Sequence, residues 1–138
     1  MADTYNNIGV VYEEKGDLEN ALLQHQKALE IRTRVFGSEH ARVAGSHVNI
    51  GNVYRDQGKH EEALVELQKG LDVFVAVFGS EHPQVADSKY NLALLHKKRR
   101  ETDKARQLFL ECEQTYSAVY GPDHSETQDA ARQASKCA

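Results

Sequence analysis

The segment VFGSEH occurs at residues 35–40 and again at residues 77–82, and a variant, VYGPDH, follows at residues 119–124. Each copy lies 42 residues after the one before it, and the sequence between the copies stays in register without a gap. Aligned positions hold the same side chain, as at Asn7, Asn49 and Asn91, at Ala21, Ala63 and Ala105, and at His40, His82 and His124. A fixed period of this length is typical of stacked supersecondary units, so the chain is predicted to be a repeat protein.

Each repeat predicts two α-helices. In the second repeat, core-type positions recur at steps of four, three and four residues, at Val43, His47, Ile50 and Tyr54. This spacing places them on one face of a helix, and Gly58 then interrupts the pattern. In the third repeat Arg100 replaces the equivalent glycine, so a strained or altered turn is expected there. The predicted helices are at residues 2–15, 18–36, 41–57, 60–78, 83–99, 102–120 and 125–136, and no β-sheet is expected.

The repeated segment is predicted to connect one helix pair to the next. Its glycines are expected to end the second helices as left-handed C-terminal caps, at Gly37, Gly79 and Gly121. If Gly79 has a positive φ, Gly79→Asn should be tolerated better than Gly79→Val, because asparagine enters the left-handed region more easily. His82 lies where an N-cap belongs, because the following Pro83 suits the first position of a helix.

The repeat resembles the tetratricopeptide repeat (TPR), a two-helix unit with small and aromatic packing positions. The matching residues are Tyr5, Ile8, Gly9, Tyr12, Ala21, His25 and Ala28 in the first repeat and Ile50, Gly51, Tyr54, Ala63, Leu67 and Gly70 in the second. The long version of the repeat, with FGxEHPxVA between units, is similar to the repeats of kinesin light chain and of nephrocystin-type proteins. The resemblance implies an all-α fold, an α-solenoid (TPR superhelix) of three antiparallel helix pairs plus a C-terminal capping helix.

The period predicts a single TPR array across residues 1–138. Repeat one is expected at residues 1–40, repeat two at 41–82, repeat three at 83–124, and a capping helix at 125–138. The last segment offers only a thin apolar stripe, at Thr127, Ala130, Ala131 and Ala134. Such a stripe is typical of the solvated helix that closes a repeat stack. The alternative interpretation is that the sequence is a fragment of a longer array.

The composition predicts a soluble cytoplasmic protein. No apolar stretch approaches the roughly 20 residues that cross a bilayer, and the N-terminus lacks the basic and apolar regions of a signal peptide. The two cysteines, Cys112 and Cys137, are too few for a disulfide framework. The net charge of −4 gives no general attraction to nucleic acid. Neither nucleic acid nor a membrane is therefore expected as a partner.

No catalytic, metal or cofactor site is predicted, and the chain is not expected to be an enzyme. It contains no Gly-rich phosphate loop, zinc-protease motif, serine-nucleophile motif or paired-cysteine motif. The connector histidines recur once per repeat, which separates them too far to share a metal at bonds of about 2 Å. Cys112 occupies a column of small packing residues and is expected to be a buried, inert thiol, whereas Cys137 is expected to be exposed near the chain end.

In the family that these repeats resemble, the first helix of each pair lines a concave surface. With Ile50 in the core, the opposite face of these helices is predicted to bind a peptide. The predicted groove residues are Asn6, Asn7, Val10, Val48, Asn49, Asn52, Arg55, Tyr90, Asn91, Leu94, Lys97 and Lys98. The asparagines can donate to and accept from an extended peptide backbone, or they can bond to neighbouring helices instead.

The basic segment HKKRR at residues 96–100 has three interpretations. It is a solvated helix end, where cations also suit the helix dipole, or it recognises an acidic partner. Nucleic-acid binding is disfavoured, because no aromatic residues lie between the basic ones. The favoured function is a non-enzymatic scaffold that binds an extended, partly acidic peptide with an apolar anchor, as an adaptor does. The alternative is a structural or self-associating module.

Overall fold

The computed structural model describes residues 1–137, and this part of the chain forms seven α-helices without a strand. The helices are α1 Ala2–Glu14, α2 Leu18–Phe36, α3 Ala41–Asp56, α4 His60–Phe78, α5 Pro83–Lys98, α6 Thr102–Tyr120 and α7 Ser125–Lys136. All predicted helices are confirmed, with ends within one residue of those expected. Within the described range, no helix is both long and apolar enough to span a membrane. Ala138, the last residue of the predicted capping segment, lies outside the described residues.

The helices pack within two compact units, one formed by Met1–Val77 and one that starts at Phe78. In the first unit α2 packs between α1 and α3, and α4 packs against α3. In the second unit α6 packs between α5 and α7. Helices α1 and α2, α3 and α4, and α5 and α6 form the three antiparallel pairs, and α7 is the capping helix. The predicted all-α solenoid class is therefore confirmed.

The two helices of a pair approach closely because glycine lies at their contact. A Cβ atom at Gly9 would lie 2.8 Å from Cε1 of His25, and one at Gly51 would lie 2.7 Å from Cγ of Leu67. Such distances are far inside van der Waals contact, so both positions need glycine for room. The alanines of the second helices are fully buried, at Ala21, Ala63 and Ala105.

The first helix of each pair ends in the same hydrogen-bonded turn. A backbone N–H beyond the helix donates to a carbonyl in its last turn at 2.9 Å, from Asp17 to Tyr12, from Lys59 to Tyr54 and from Glu101 to His96. The residue before each of these donors has a positive φ, which is 78° at Gly16, 80° at Gly58 and 62° at Arg100. The third repeat thus keeps the turn, a Schellman motif. Arg100 carries the strain, since it is the only non-glycine residue with positive φ among residues 1–137.

Glycines also end the second helices, but in a different conformation from the one expected. Their φ angles are 84° at Gly37, 85° at Gly79 and 96° at Gly121. The ψ angle is 166° at Gly37 and 158° at Gly121, so the backbone there is extended and not left-handed helical. This combination of angles is essentially restricted to glycine. Gly37 and Gly121 therefore differ from left-handed helical caps, which asparagine also adopts, and the comparison of Gly79→Asn with Gly79→Val stays a prediction.

The histidine of each connector has two contacts that explain why the segment recurs. Its Nδ1 accepts a backbone N–H from the next helix, at 3.1 Å from Arg42, 3.0 Å from Gln84 and 3.2 Å from Glu126. Its ring stacks on the aromatic ring four residues earlier, with centroids 4.4 Å apart for Phe36 and His40, 4.2 Å for Phe78 and His82, and 4.6 Å for Tyr120 and His124. The predicted N-cap at His82 is confirmed.

A histidine and a glutamate connect the two helices of each repeat. The nitrogen–oxygen distances are 2.8 Å for His25 and Glu13, 2.6 Å for His47 and Glu66, and 2.9 Å for His96 and Glu101. The hydrogen bond with histidine is the main reason that the pKa values of Glu66 and Glu101 lie below their usual value. These pairs occupy no common sequence column, which is why the repeat alignment does not predict them.

The two cysteines are both buried. The Sγ–H of Cys112 donates to the carbonyl of Ala86 at 3.1 Å, and burial raises the pKa of this thiol to about 12. Cys112 is thus the packing residue that was expected. The expectation that Cys137 is exposed is wrong, because α7 packs against α6 within the second unit. Cys137 packs there in a cluster with Phe109 and Ala134.

Replacing Arg100 by glycine is expected to stabilise the protein by about 1 kcal/mol. An L-residue with left-handed backbone angles costs about 1–2 kcal/mol, and glycine avoids this cost while losing more backbone entropy on folding. Chemical denaturation followed by circular dichroism measures the change. Gly58→Ala, at the equivalent position of repeat two, is the matched control and should be destabilising. An Arg100→Gly protein that is less stable than wild type would contradict the strain at this turn.

The pairing of Glu66 with His47 predicts a loss of stability in acid. The pKa of Glu66 is lowered from 4.5 by folding, so the stabilisation is complete above pH 4.5 and is lost as the pH falls through the lowered value. Glu66→Gln should therefore be less stable than wild type near neutral pH and approach wild-type stability as the pH falls below the lowered pKa of Glu66. Denaturation at several pH values gives the comparison, with the exposed Glu62→Gln as control. A stability difference that does not change with pH would refute this role.

Candidate functional site

The predicted groove residues lie on α1, α3 and α5, the first helices of the three pairs. In the first unit, Nδ2 of Asn49 donates to Oδ1 of Asn6 at 2.7 Å. This bond joins α3 to α1, so Asn49 is hydrogen-bonded to a neighbouring helix. Such a bond is the alternative role that the sequence allows for the asparagines. Asn7 lies beside this pair and is exposed. Of the aligned asparagines in the first unit, Asn49 is therefore engaged in an internal hydrogen bond, and the amide of Asn7 is exposed to other partners.

Two valines were predicted as apolar residues of this face. Val10 on α1 has 39% of its surface exposed. Val48 on α3 is half-buried, because its Cγ2 lies only 2.7 Å from where a Cβ of Gly70 would be. Gly70 thus makes room for Val48 within the α3–α4 pair. Val10 is the valine with more surface left for an outside contact.

Asn52 and Arg55 lie farther along α3 and carry buried polar atoms. In the described residues, Oδ1 of Asn52 and Nη1 of Arg55 are buried without a hydrogen-bond partner. The Nε atom of Arg55 lies 3.5 Å from Oδ1 of Asp56, so the guanidinium has a carboxylate nearby. An unpaired buried polar atom is unusual in a folded protein, and an internal water is its usual partner. A ligand at the surface does not reach these atoms while they stay buried.

Tyr90 is held in place by two contacts in the second unit. Its hydroxyl donates to Oδ2 of Asp129 on α7, and its ring meets that of Phe109 edge-on at 5.3 Å between centroids. Burial raises the pKa of Tyr90 to about 12, and the carboxylate of Asp129 adds to this shift. The phenol is therefore a neutral hydrogen-bond donor that positions a carboxylate.

The remaining predicted residues of α5 are partly engaged. Nδ2 of Asn91 donates to the carbonyl of Asp87 at 3.1 Å, and Leu94 packs half-buried against the core cluster of the second unit. Nζ of Lys97 donates to Oε1 of Gln133 on α7 at 2.8 Å. Lys98 is exposed to solvent, and it is not without a partner either. The basic end of α5 is thus ordered by the capping helix and is not simply solvated.

Helix α7 contributes side chains that were not included in the predicted site. A shift of 42 residues aligns Asp87, Tyr90 and Asn91 with Asp129, Arg132 and Gln133. Gln133 thus continues the column of Asn7, Asn49 and Asn91 with a longer amide. This signal is present in the sequence, but the thin apolar stripe of α7 suggests only a solvated cap.

Carboxylates at the start of α1 and α5 have matching partners on the second helices. Oδ1 of Asp3 lies 3.0 Å from Nη2 of the buried Arg32, and this hydrogen bond is the main cause of the lowered pKa of Asp3. In repeat three the equivalent residues are Asp87 and Tyr116, and the tyrosine hydroxyl donates to Oδ1 of Asp87. Burial raises the pKa of Tyr116, so the phenol stays a neutral donor.

The geometry defines a class of protein in which paired helices present a polar, amide-bearing face. The sequence matches the tetratricopeptide repeat family over residues 1–64 and 42–118. These matches cover most of the chain, and the protein therefore belongs to the tetratricopeptide repeat family. Repeats of this family mediate protein–protein interactions. A comparison with curated protein sequences finds no match.

Solved structures of kinesin light chain-like repeats share this fold. The nearly identical TPR-like repeats assigned to a kinesin light chain of Podosopora anserina superpose with a TM-score of 0.88 at 17% identity, over 98% of this chain and 64% of that one. BtubC (BKLC) from P. vanneervenii superposes with a TM-score of 0.72 at 18% identity, over 99% of this chain and 62% of that one. This chain thus spans less than two thirds of each. The similarity confirms the kinesin light chain-like TPR fold.

Proposed function

We propose that this chain is a non-enzymatic scaffold that binds an extended peptide along α1, α3 and α5. The bound segment carries an apolar anchor residue and has its acidic residues near Lys97 and Lys98. It belongs to a protein partner, and neither nucleic acid nor a membrane takes its place. Both cysteine thiols are free, which suits the reducing cytoplasm as the place of action.

The observation that carries this proposal is a set of solvent-accessible amide and apolar side chains on the first helices. Asn7 is exposed and Val10 has 39% of its surface exposed on α1, while Asn49 on α3 and Asn91 on α5 are half-buried. An amide side chain can both donate to and accept from an extended peptide backbone. Each such hydrogen bond contributes roughly 0.5–1.5 kcal/mol net. Val10 supplies an apolar contact for the anchor residue.

The acidic part of the proposed ligand follows from the basic last turn of α5. Lys97 is oriented by the amide of Gln133, which is neutral and leaves the ammonium charge uncompensated by that contact. The side chain is half-buried, so a carboxylate that reaches it is partly shielded from water. Charge-assisted hydrogen bonds in such settings are stronger than neutral ones. Acidic side chains are therefore the matching chemistry at this end.

Reversing the charge of both lysines tests this proposal. Peptides selected from a displayed library are titrated against wild type, against Lys97→Glu with Lys98→Glu, and against Asn49→Ala. The double reversal should weaken acidic peptides about tenfold or more, with a larger effect at low salt. Asn49→Ala should weaken binding with little salt dependence, because an amide carries no net charge.

The matched control reverses two exposed lysines elsewhere, Lys15→Glu with Lys27→Glu, and changes the net charge equally. Lys136 is not used, because it lies one turn after Gln133 on α7. This control should leave the affinity within about twofold, since surface charges at a distance are screened by salt. Thermal unfolding establishes that every variant is folded. If the double reversal at residues 97 and 98 binds acidic peptides as tightly as the control does, the proposed basic end of the groove is wrong.

A self-associating module is the second candidate, and the outer face of α1 favours it. Ile8 and Val11 are 40% and 47% exposed, whereas Ile50 and Val53, which hold the same columns on α3, are 2% and 0% exposed. In the first unit α3 packs on α2, whereas the same columns on α1 stay partly exposed. A neighbouring apolar residue pair of this kind is typical of a docking face. A second copy of the chain would bury it.

Sedimentation across a range of protein concentrations decides between the two candidates. If the chain self-associates through α1, its weight-average mass should rise with concentration, and Ile8→Ser with Val11→Ser should abolish the rise, because the apolar contact is lost. The same two substitutions should leave peptide affinity unchanged, since the side chains lie outside the predicted groove residues. A monomer at every concentration would remove this candidate.

A further inference from the structure

A pocket of about 580 Å³ opens in the second unit between α5, the end of α6 and the start of α7. Its volume lies in the range of ligand pockets, about 300–1,000 Å³. Predicted groove residues Tyr90 and Asn91 contribute to its wall. Most of the wall, however, comes from residues that the predicted peptide site does not include. The chemistry of that wall differs from the basic end of α5.

Negative charge dominates the lining of this pocket. Asp87, Glu126 and Asp129 supply carboxylates, and Arg132 is the one cationic side chain among the lining residues. Nη2 of Arg132 lies 3.4 Å from Oδ1 of Asp129, so the guanidinium pairs with one of the three carboxylates. The wall therefore retains net negative charge. A cation is the ligand that complements it.

Two tyrosines orient the carboxylates without neutralising them. The hydroxyl of Tyr90 donates to Asp129, and that of Tyr116 donates to Asp87. Tyr116 is further held by a stacked contact with Tyr120, with ring centroids 5.9 Å apart. Both phenols are neutral donors, so each fixes the position of a carboxylate without adding a positive charge beside it. Aromatic rings beside fixed carboxylates are the setting in which organic cations bind best.

Other occupants suit the wall less well. The start of α7 contributes Ser125, and a helix N-terminus by itself attracts anions. Glu126 lies in the first turn of this helix, where its carboxylate offsets the dipole. A metal ion needs several ligands at one point, and in the described residues no three His, Cys, Asp or Glu side chains are grouped in that way. An extended organic cation can instead contact carboxylates that are spread around the wall.

We propose that this pocket binds the guanidinium or ammonium group of a basic side chain in the bound peptide. The identity of the ligand as a peptide rests on the proposed function, whereas recognition of the cation rests on the pocket alone. The peptide then has two charged contacts of opposite sign on α5, a basic residue at the pocket and acidic residues at Lys97 and Lys98. This polarity fixes the direction in which the peptide lies along α5.

The helix geometry also sets the spacing of the two charges in the ligand. Asp87 and Lys97 are ten residues apart on α5, which corresponds to about 15 Å along the helix. An extended peptide advances by about 3.3 Å per residue, so the basic and acidic residues should be separated by about four or five positions. Peptides with the two charges adjacent to each other are not expected to reach both contacts.

The test uses the full chain and a small probe, N-acetyl-arginine amide, in an NMR titration. Saturable shifts are expected at the side-chain amide of Asn91 and the backbone amide of Glu126. N-acetyl-citrulline amide, which has nearly the same shape but no charge, should bind about fivefold more weakly or not at all. Asp87→Asn with Asp129→Asn should reduce arginine affinity to a similar extent. Asparagine keeps an oxygen acceptor for each tyrosine hydroxyl, so the pocket should retain its shape.

The matched control is Asp103→Asn with Asp123→Asn, which removes two exposed carboxylates outside the pocket lining and should leave the affinity unchanged. Glu126→Gln is a second pocket variant in case the first pair disturbs folding, since its side chain is exposed. Equal binding of the arginine and citrulline probes, or equal losses in the pocket and control variants, would overturn the proposal.

A peptide titration separates this inference from the proposed function. In one outcome, library peptides depend on Lys97 and Lys98, show no preference for a basic residue and bind the pocket variants normally. This outcome would refute the pocket and leave the scaffold function intact. Binding of the arginine probe without any peptide binding would support the pocket and refute the scaffold function. In a third outcome, the peptides prefer a basic residue four or five positions from the acidic ones, and the pocket variants lose this preference. This outcome would support both the pocket and the scaffold function.

Discussion

The stack between a connector histidine and the aromatic ring four residues before it is the contact on which the repeat depends. The aromatic residue ends one helix pair, and the histidine accepts the first free N–H of the next pair. The glycine between them has backbone angles that other residues do not adopt, so the chain turns at one place only. The same five-residue unit therefore determines where a helix ends, where the next begins and how the two are joined. A change in any of its three parts disturbs all of these.

Within the first two pairs, glycine sets how closely the helices approach and thereby which side chains are free for other roles. The third pair has Ala93 at the aligned position. Gly9 admits His25 and Gly51 admits Leu67, so the same contact is made with a polar residue in one repeat and an apolar one in the next. His25 then bonds Glu13, and the other repeats bring histidine and glutamate together from different positions. The repeats thus share a backbone arrangement while differing in the polar groups that they bury. Those differences are where acid sensitivity and local strain arise.

The proposed function depends on the contrast between the two ends of α5. At its start, tyrosine hydroxyls hold carboxylates in place, and at its end, the amide of Gln133 holds an ammonium group. In both cases a neutral partner orders a charged side chain and leaves its charge available to a ligand. Helix α7 supplies contacts at both ends, so the capping helix is part of the proposed recognition surface. A peptide with charges of both signs is the ligand that fits this arrangement.

The sequence by itself determined the helices, their order and the TPR fold, because period, glycine positions and caps are local features that recur in register. It also predicted which columns lie opposite the core, since helical spacing sets the face on which each residue lies. Only the tertiary structure decided which of those side chains are already engaged. The bonds from Asn49 to Asn6, from Tyr90 to Asp129 and from Lys97 to Gln133 each join helices that are far apart in the chain. The burial of Cys137 and the acidic pocket have the same origin, because they depend on how α7 packs and not on any local pattern.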